Sequence, residues 1–273
     1  MRLDTPIAMV SRCCCILTGL PHITVWSATL QLLYKRTVSS VNSRRICTSH
    51  ILGKLVETTL AQQFLSTAEA EHKLHESQNG FRPRRGTRDN TWLLSELVQW
   101  HRDTRPPRPV FAAFVDIKKA YDTVSIARLS AALLTAGFNG KLVATAIAFC
   151  RRKVQVKLGG QLSEPYVAEK GVPQGAPMSP ILYILFQEWL TVQMEERFKS
   201  EANTVHIPAS GERPSQPVVA LYFADDGTLM AHSVQQLLAM LDSYRELLTG
   251  LGLQINVQKT QAMAFCGRAV TSH

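Results

Sequence analysis

Two apolar runs of strand length end abruptly in carboxylates. Val110-Phe111-Ala112-Ala113-Phe114-Val115 stops at Asp116, and Val218-Val219-Ala220-Leu221-Tyr222-Phe223-Ala224 stops at Asp225-Asp226. If the two strands lie side by side in one sheet, negative charge from both gathers at one end. That arrangement is costly unless a cation shares it. Hard oxygen ligands of this kind suit Mg²⁺, and two ions about 3.5–4 Å apart are the standard arrangement for in-line phosphoryl transfer. Taken singly each acidic site says less. An Asp-Asp-Gly turn is more often a solvated hairpin tip, and Asp116 alone is equally well read as a helix N-cap.

Around these runs, periodicity predicts alternating strands and helices with no internal repeat. An amphipathic helix is expected over 51–67, with Ile51, Leu52, Leu55, Val56, Leu60 and Phe64 on its apolar face. A Gly/Arg/Pro-rich loop at 79–90 follows, and helical periodicity returns over 91–101. Further helices are expected at 126–136, 142–150, 178–198 and 234–248, the last ending near Gly250. Lys153 to Leu158 alternates with period two before Gly159-Gly160, which predicts a hairpin with a partner strand over 165–168. Residues 199–216 read as a polar connection, Asp225-Asp226 as a hairpin tip, and Leu253-Gln254-Ile255 as the opening of a final short strand. The fold class expected is α+β, an antiparallel sheet with helices on one face.

Charge indicates the kind of partner. The chain of 273 residues carries 30 Lys+Arg against 21 Asp+Glu, a net +9. Residues 1–110 hold 15 basic against 8 acidic groups and 111–273 hold 15 against 13, so the excess lies in the N-terminal part. A lopsided basic surface is what a polyanion-binding region needs. The cysteines Cys13, Cys14, Cys15, Cys47, Cys150 and Cys266 lack the spacing of a zinc site or disulfide framework and read as reduced thiols. Residues 13–34 carry no charge, yet Pro21, His22, Ser27, Thr29 and Gln31 dilute the run. An irregular N-terminal piece is preferred over a membrane span.

Four segments in order, FVDIKKAYDTV (114–124), GVPQGAPMSPILY (171–183), LYFADDGTLM (221–230) and GLQINVQKT (252–260), resemble the successive palm motifs of reverse transcriptases. Upstream, RRICTSHILGKLVE (44–57) and QNGFRPRRGT (78–87) resemble the fingers motifs of the non-LTR (LINE-type) retrotransposon branch. The resemblance implies a right-hand polymerase: residues 1–40 an N-terminal segment of unassigned structure, 41–110 fingers, 111–265 palm with a fingers-like hairpin near 153–168, and 266–273 a tail, the thumb being absent or truncated. It implies an RNA-directed DNA polymerase that transfers nucleotides from dNTPs to a DNA primer on an RNA template. It also implies two Mg²⁺ ions, replaceable by Mn²⁺, no membrane, and a nuclear or other intracellular location.

Carried over residue by residue, the resemblance makes Asp116, Asp225 and Asp226 the catalytic metal ligands, with the Ile117 carbonyl as a further ligand or nucleotide contact. Tyr121 takes the steric-gate position, where a ring crowds a ribose 2′-OH; otherwise it is an ordinary aromatic at a helix start. Gln174 and Gly175 line the incoming nucleotide, and Ser179 caps the helix beneath that loop. Arg82, Arg84, Arg85 and Arg88 cluster where guanidinium forks can hold a triphosphate or the nucleic-acid backbone. Lys259 serves as proton donor or charge partner for departing pyrophosphate. Two departures stand out: Arg44-Arg45-Ile46 replaces the usual Arg-Pro-Ile, and the sequence stops just after the fourth motif. Two other readings compete, a non-catalytic nucleic-acid-binding remnant and an RNA-dependent RNA polymerase. Tyr121 and the fingers motifs speak against the second of these.

Overall fold

The computed structural model describes residues 28–33, 44–158, 161–210 and 214–265. Its centre is a four-stranded sheet in the order β11-β3-β10-β9, every neighbouring pair antiparallel. The strands are β3 (Val110–Val115), β9 (Ala220–Phe223), β10 (Asp226–Ala231) and β11 (Gln261–Phe265). Along β3 the side chains divide by parity. Phe111, Ala113 and Val115 join the main core, while Val110, Ala112 and Phe114 join a second cluster on the other face. Leu229 and Ala231 against Met230 do the same on β10.

Both faces are therefore apolar, and both must be covered. Two long helices lie on one of them; the class is α+β as expected, but helices are not confined to that face. The two are α6 (Ser179–Phe198) and α7 (Val234–Leu251), which pack Leu182, Phe186, Leu190, Met240 and Leu248 under the sheet. The opposite face takes Leu97 from α2 (Thr87–Asp103) and the small hairpin of β7 (Val205–Ile207) with β8 (Gln216–Val218). That hairpin begins within the stretch expected to be a plain polar connection and takes Val218 from the run expected as one strand over 218–224; Val205 and Val218 are its buried anchors.

The remaining elements surround this palm. Helices α1 (Ile51–Ala70), α4 (Ile126–Thr135) and α5 (Gly140–Cys150) add Leu60, Phe64, Leu129, Leu133 and Val143 to the main core. Ser125 caps α4 by accepting from the Arg128 amide at 3.4 Å. A second sheet joins β1 (Ala28–Leu33) to β2 (Arg44–Ser49) antiparallel and to β4 (Lys153–Leu158) parallel. Two short strands, β5 (Gln161–Leu162) and β6 (Tyr166–Val167), pair back onto β4. The Gly159-Gly160 turn lies outside the described residues, as does most of the 13–34 run, of which Ala28–Leu33 is strand. No helix of the described residues is long and apolar enough to cross a membrane.

Several expectations need correction. The apolar face of α1 is rotated: Ile51, Leu52 and Leu55 are exposed, while Gly53, Glu57, Leu60, Phe64 and Ala68 point inward. Glu57 can do so because it meets a buried arginine, Arg152, at 2.7 Å. Helix α7 runs past Gly250 and stops at Gly252, whose φ of +81° lets its amide and that of Leu253 return to Thr249 and Leu248. Ile255 makes a lone bridge to Ile117, and the last strand forms later, at 261–265.

Candidate active site

Register brings the carboxylates together. Gly227 is paired with Val115, so the next position outward places Asp226 beside Asp116 at the same sheet end. The β9–β10 hairpin pairs Phe223 with Asp226, leaving Ala224 and Asp225 as its two-residue tip. Ala224 has φ +56°, an uncommon left-handed conformation for a residue with a Cβ. Partial burial, followed by the negative charge of Asp116, raises the Asp226 carboxyl above the usual aspartate range, with Lys259 opposing. Two anions on adjacent strand ends thus feel each other.

The fourth motif folds over Asp116. The Ile117–Ile255 bridge is closed by the Lys118 amide donating to Gln254 O at 2.8 Å and the Asn256 amide donating to Asp116 O at 2.7 Å. Beyond it, Asn256 Nδ2 donates to Asp116 Oδ2 at 2.8 Å, and Lys259 Nζ stands 3.7 Å from Oδ1. Asn256 was not singled out from sequence, although it lies within the segment GLQINVQKT. A lone Asn in a loop carries no signal until its partner is known.

Tyr121 lies on α3 (Ala120–Thr123), a single turn that begins just after the Asp116 strand end. Its ring stacks on fully buried Tyr183 of α6, centroids 4.8 Å apart and planes 15° apart. Burial first, and then the charge of Asp225, push its phenol well above the ordinary tyrosine range. The ring is therefore fixed in direction and close to the acidic turn. Its carbonyl accepts the Val172 amide at 2.8 Å, and Gly171, φ +90°, approaches so closely that a Cβ there would meet the Asp122 carbonyl at 2.9 Å.

The Gly/Pro loop at 171–177 is thereby docked on the Tyr121 turn. Gln174 is half-buried and its carbonyl accepts the Cys47 amide from β2 at 2.8 Å, while Gly175, φ +93°, is exposed. Ser179 is not the expected cap. It occupies the first helical position and donates its hydroxyl to Pro173 O at 2.7 Å, holding the loop instead.

The arginines separate into two kinds. Arg82 is buried and spent internally: it forks onto both carboxylate oxygens of Glu69 at 2.7 and 2.9 Å and donates to the carbonyls of His75 and Gln78. This removes Arg82 from the triphosphate candidates, because its donors already brace the loop. Arg85 is half-buried and bonds Glu76 at 2.5 Å. Arg84 and Arg88 are exposed with no partner among the described residues. No group of three or more His, Cys, Asp or Glu among those residues is gathered tightly enough to cage an ion by itself. An open edge with a few carboxylates still fits Mg²⁺, which is usually held by one or two protein carboxylates together with substrate phosphates.

An antiparallel palm presenting acidic strand ends beneath a basic loop is the architecture of a nucleic-acid polymerase. The reverse transcriptase (RNA-dependent DNA polymerase) family matches residues 35–270, and this chain belongs to it. The Pol polyprotein from type-1 retrotransposable element R2 of Popillia japonica is 26% identical over 226 residues, covering 82% of this chain and 30% of that protein. The RNA-directed DNA polymerase from mobile element jockey of Drosophila melanogaster is 26% identical over 256 residues, covering 89% and 26% respectively. Both are non-LTR elements, in agreement with the fingers motifs. Telomerase from Candida tropicalis, solved with a TWJ fragment of telomeric RNA, shares the fold at TM-score 0.64 and 14% identity over 97% of this chain and 45% of that one. The chain thus spans less than a third of these element proteins.

Proposed function

We propose that this chain carries the nucleotidyl-transfer centre of an RNA-directed DNA polymerase, adding dNTPs to a DNA primer on an RNA template. The observation that carries the reading is the register that sets Asp116 against Asp226, with the Asp226 carboxyl raised by burial and by that neighbour. Asp116, Asp225 and Asp226 are the residues that would hold two Mg²⁺ ions, with the Ile117 carbonyl at the rim. Bound there, such ions lower the pKa of the attacking hydroxyl and neutralise charge on pyrophosphate.

The remaining roles belong to the chain's own residues. Asn256 and Lys259 fix the Asp116 carboxylate from one side, and exposed Lys259 can turn toward the departing pyrophosphate as proton donor or counter-charge. Tyr121, fixed by Tyr183, presents its ring where a ribose 2′-OH would lie and so favours deoxynucleotides. Gln174 and Gly175 line the nucleotide on the loop docked to that turn. Arg84, with Arg85 after release of Glu76, supplies guanidinium donors to the triphosphate. A nuclear or other intracellular site of action follows from the same reading.

Primer extension on poly(rA)/oligo(dT) tests it. Incorporation of dTTP that disappears in Asp225→Ala is expected, with little use of UTP. Binding without incorporation by the wild type assigns a non-catalytic role, and UTP use at a comparable rate assigns an RNA polymerase.

A further inference from the structure

One side chain binds the fingers loop to the acidic turn. Gln78 is 1% exposed, and its Oε1 accepts the Ala224 amide at 3.0 Å while its Nε2 donates to the Ala224 carbonyl at 3.3 Å. The same Oε1 accepts the Gly80 amide at 2.8 Å. A primary amide used this way meets both backbone groups of one residue, as a neighbouring strand would. The residue it grips is the one at the hairpin tip with a left-handed backbone, φ +56°, which alanine disfavours.

The surroundings leave the loop no slack. Tyr222 donates its amide to Ser77 O at 2.8 Å and accepts the Asn79 amide at 2.9 Å, so residues 77–79 lie along β9 as a parallel edge segment. Asn90 Nδ2 donates to the same Tyr222 carbonyl at 3.1 Å. At Gly80 a Cβ would fall on the Ala224 nitrogen and lie 3.0 Å from its Cα. The loop and the turn are packed backbone to backbone.

We propose that Gln78 is a positioning residue of the polymerase site: its amide holds the Ala224 peptide in the conformation that presents Asp225 and Asp226. The functional half of this inference rests on the carboxylate-site reading above. It ties Arg84 and Arg85, six and seven residues further along, to the same rigid unit as the acidic turn. A triphosphate gripped by the loop and ions gripped by the turn would then share one frame. If Gln78 served only to satisfy a sheet edge, its loss would loosen the sheet as a whole and leave the site's affinity for ions alone.

Two readouts on the full chain decide it. In Gln78→Ala, NMR hydrogen exchange at the Ala224 amide should accelerate about tenfold, the effect of one lost hydrogen bond, while amides of the β3–β11 ladder keep wild-type rates. Mn²⁺ titration followed by EPR should show affinity weakened by about 10- to 100-fold, the usual effect of removing a group that orients metal ligands. Gln78→Glu presents the same donor–acceptor pair only while its carboxyl is protonated. The ratio of its Mn²⁺ Kd to that of the wild type should therefore climb as pH rises. Unchanged Ala224 exchange in Gln78→Ala overturns the hold on the turn. Faster exchange with unchanged Mn²⁺ affinity overturns the positioning role. If the wild type binds Mn²⁺ no better than Asp225→Ala, the metal reading fails and the functional half with it, while exchange still decides whether Gln78 holds the turn.

Discussion

At the scale of single residues, two buried histidines make a node that titrates apart from the active site. His232, just after β10, meets Pro109 O through Nδ1 at 2.7 Å, and His101 of α2 meets His206 O through Nε2 at 3.0 Å. The two rings stand edge to face with centroids 4.4 Å apart, leaving His232 Nε2 and His101 Nδ1 buried without a partner. Burial, with His101, Arg108 and His206 as positive neighbours and the Pro109 carbonyl opposing, lowers the His232 pKa from 6.5 to about 4. A histidine whose folded pKa is depressed favours the fold while neutral. Its contribution is complete above about pH 6.5 and is lost as pH falls toward 4. Melting temperature measured against pH should drop through that window. His232→Asn keeps a donor near Pro109 without a titrating ring and should flatten the drop.

At the scale of elements, helix α1 is fastened to the junction of α5 and β4 by a charge pair taken wholly out of water. Glu57 and Arg152 have side chains 1% and 3% exposed, and burial outweighs the arginine to raise the glutamate pKa. Removing one partner strands the other, so Arg152→Met should cost about 3–5 kcal/mol in urea unfolding. The double change Glu57→Leu/Arg152→Met should recover most of that loss, because an apolar pair of similar volume carries no desolvation penalty.

This pair also explains what the sequence concealed. Helix α1 was legible as a helix, but its buried face was misread because Glu57 is charged and Ile51, Leu52 and Leu55 are not. Strands β3 and β9 were legible because their apolar runs are continuous, whereas β10 opens with Asp226, Gly227 and Thr228 and takes its place from pairing with both of them. The carboxylates were legible from strand ends and ordered motifs. Asn256 and Gln78 were not, since an amide becomes informative only once its partner across the fold is known. Arg82 looked like Arg84 in sequence, and only the position of Glu69 separates them.

At the scale of the whole molecule, the basic excess should appear as salt-sensitive binding to single-stranded RNA. Arg84 and Arg88 are exposed and without partners among the described residues, whereas Arg82 is committed to the loop. Each phosphate neutralised on a single strand contributes about −0.7 to the slope of log K against log salt. The double variant Arg84→Ala/Arg88→Ala should make that slope shallower by roughly 1.4, as measured by fluorescence anisotropy across a salt series. Arg82→Ala should instead lower the melting temperature.

The segment at 77–79 has one more consequence, for self-association. By occupying the hydrogen-bonding side of β9, it shields one margin of the central sheet from pairing with another chain. At the opposite margin β11 pairs, among the described residues, with β3 alone and exposes Gln261 through Ala264. Among the described residues, a foreign strand seeking to extend this sheet would find its place beside β11.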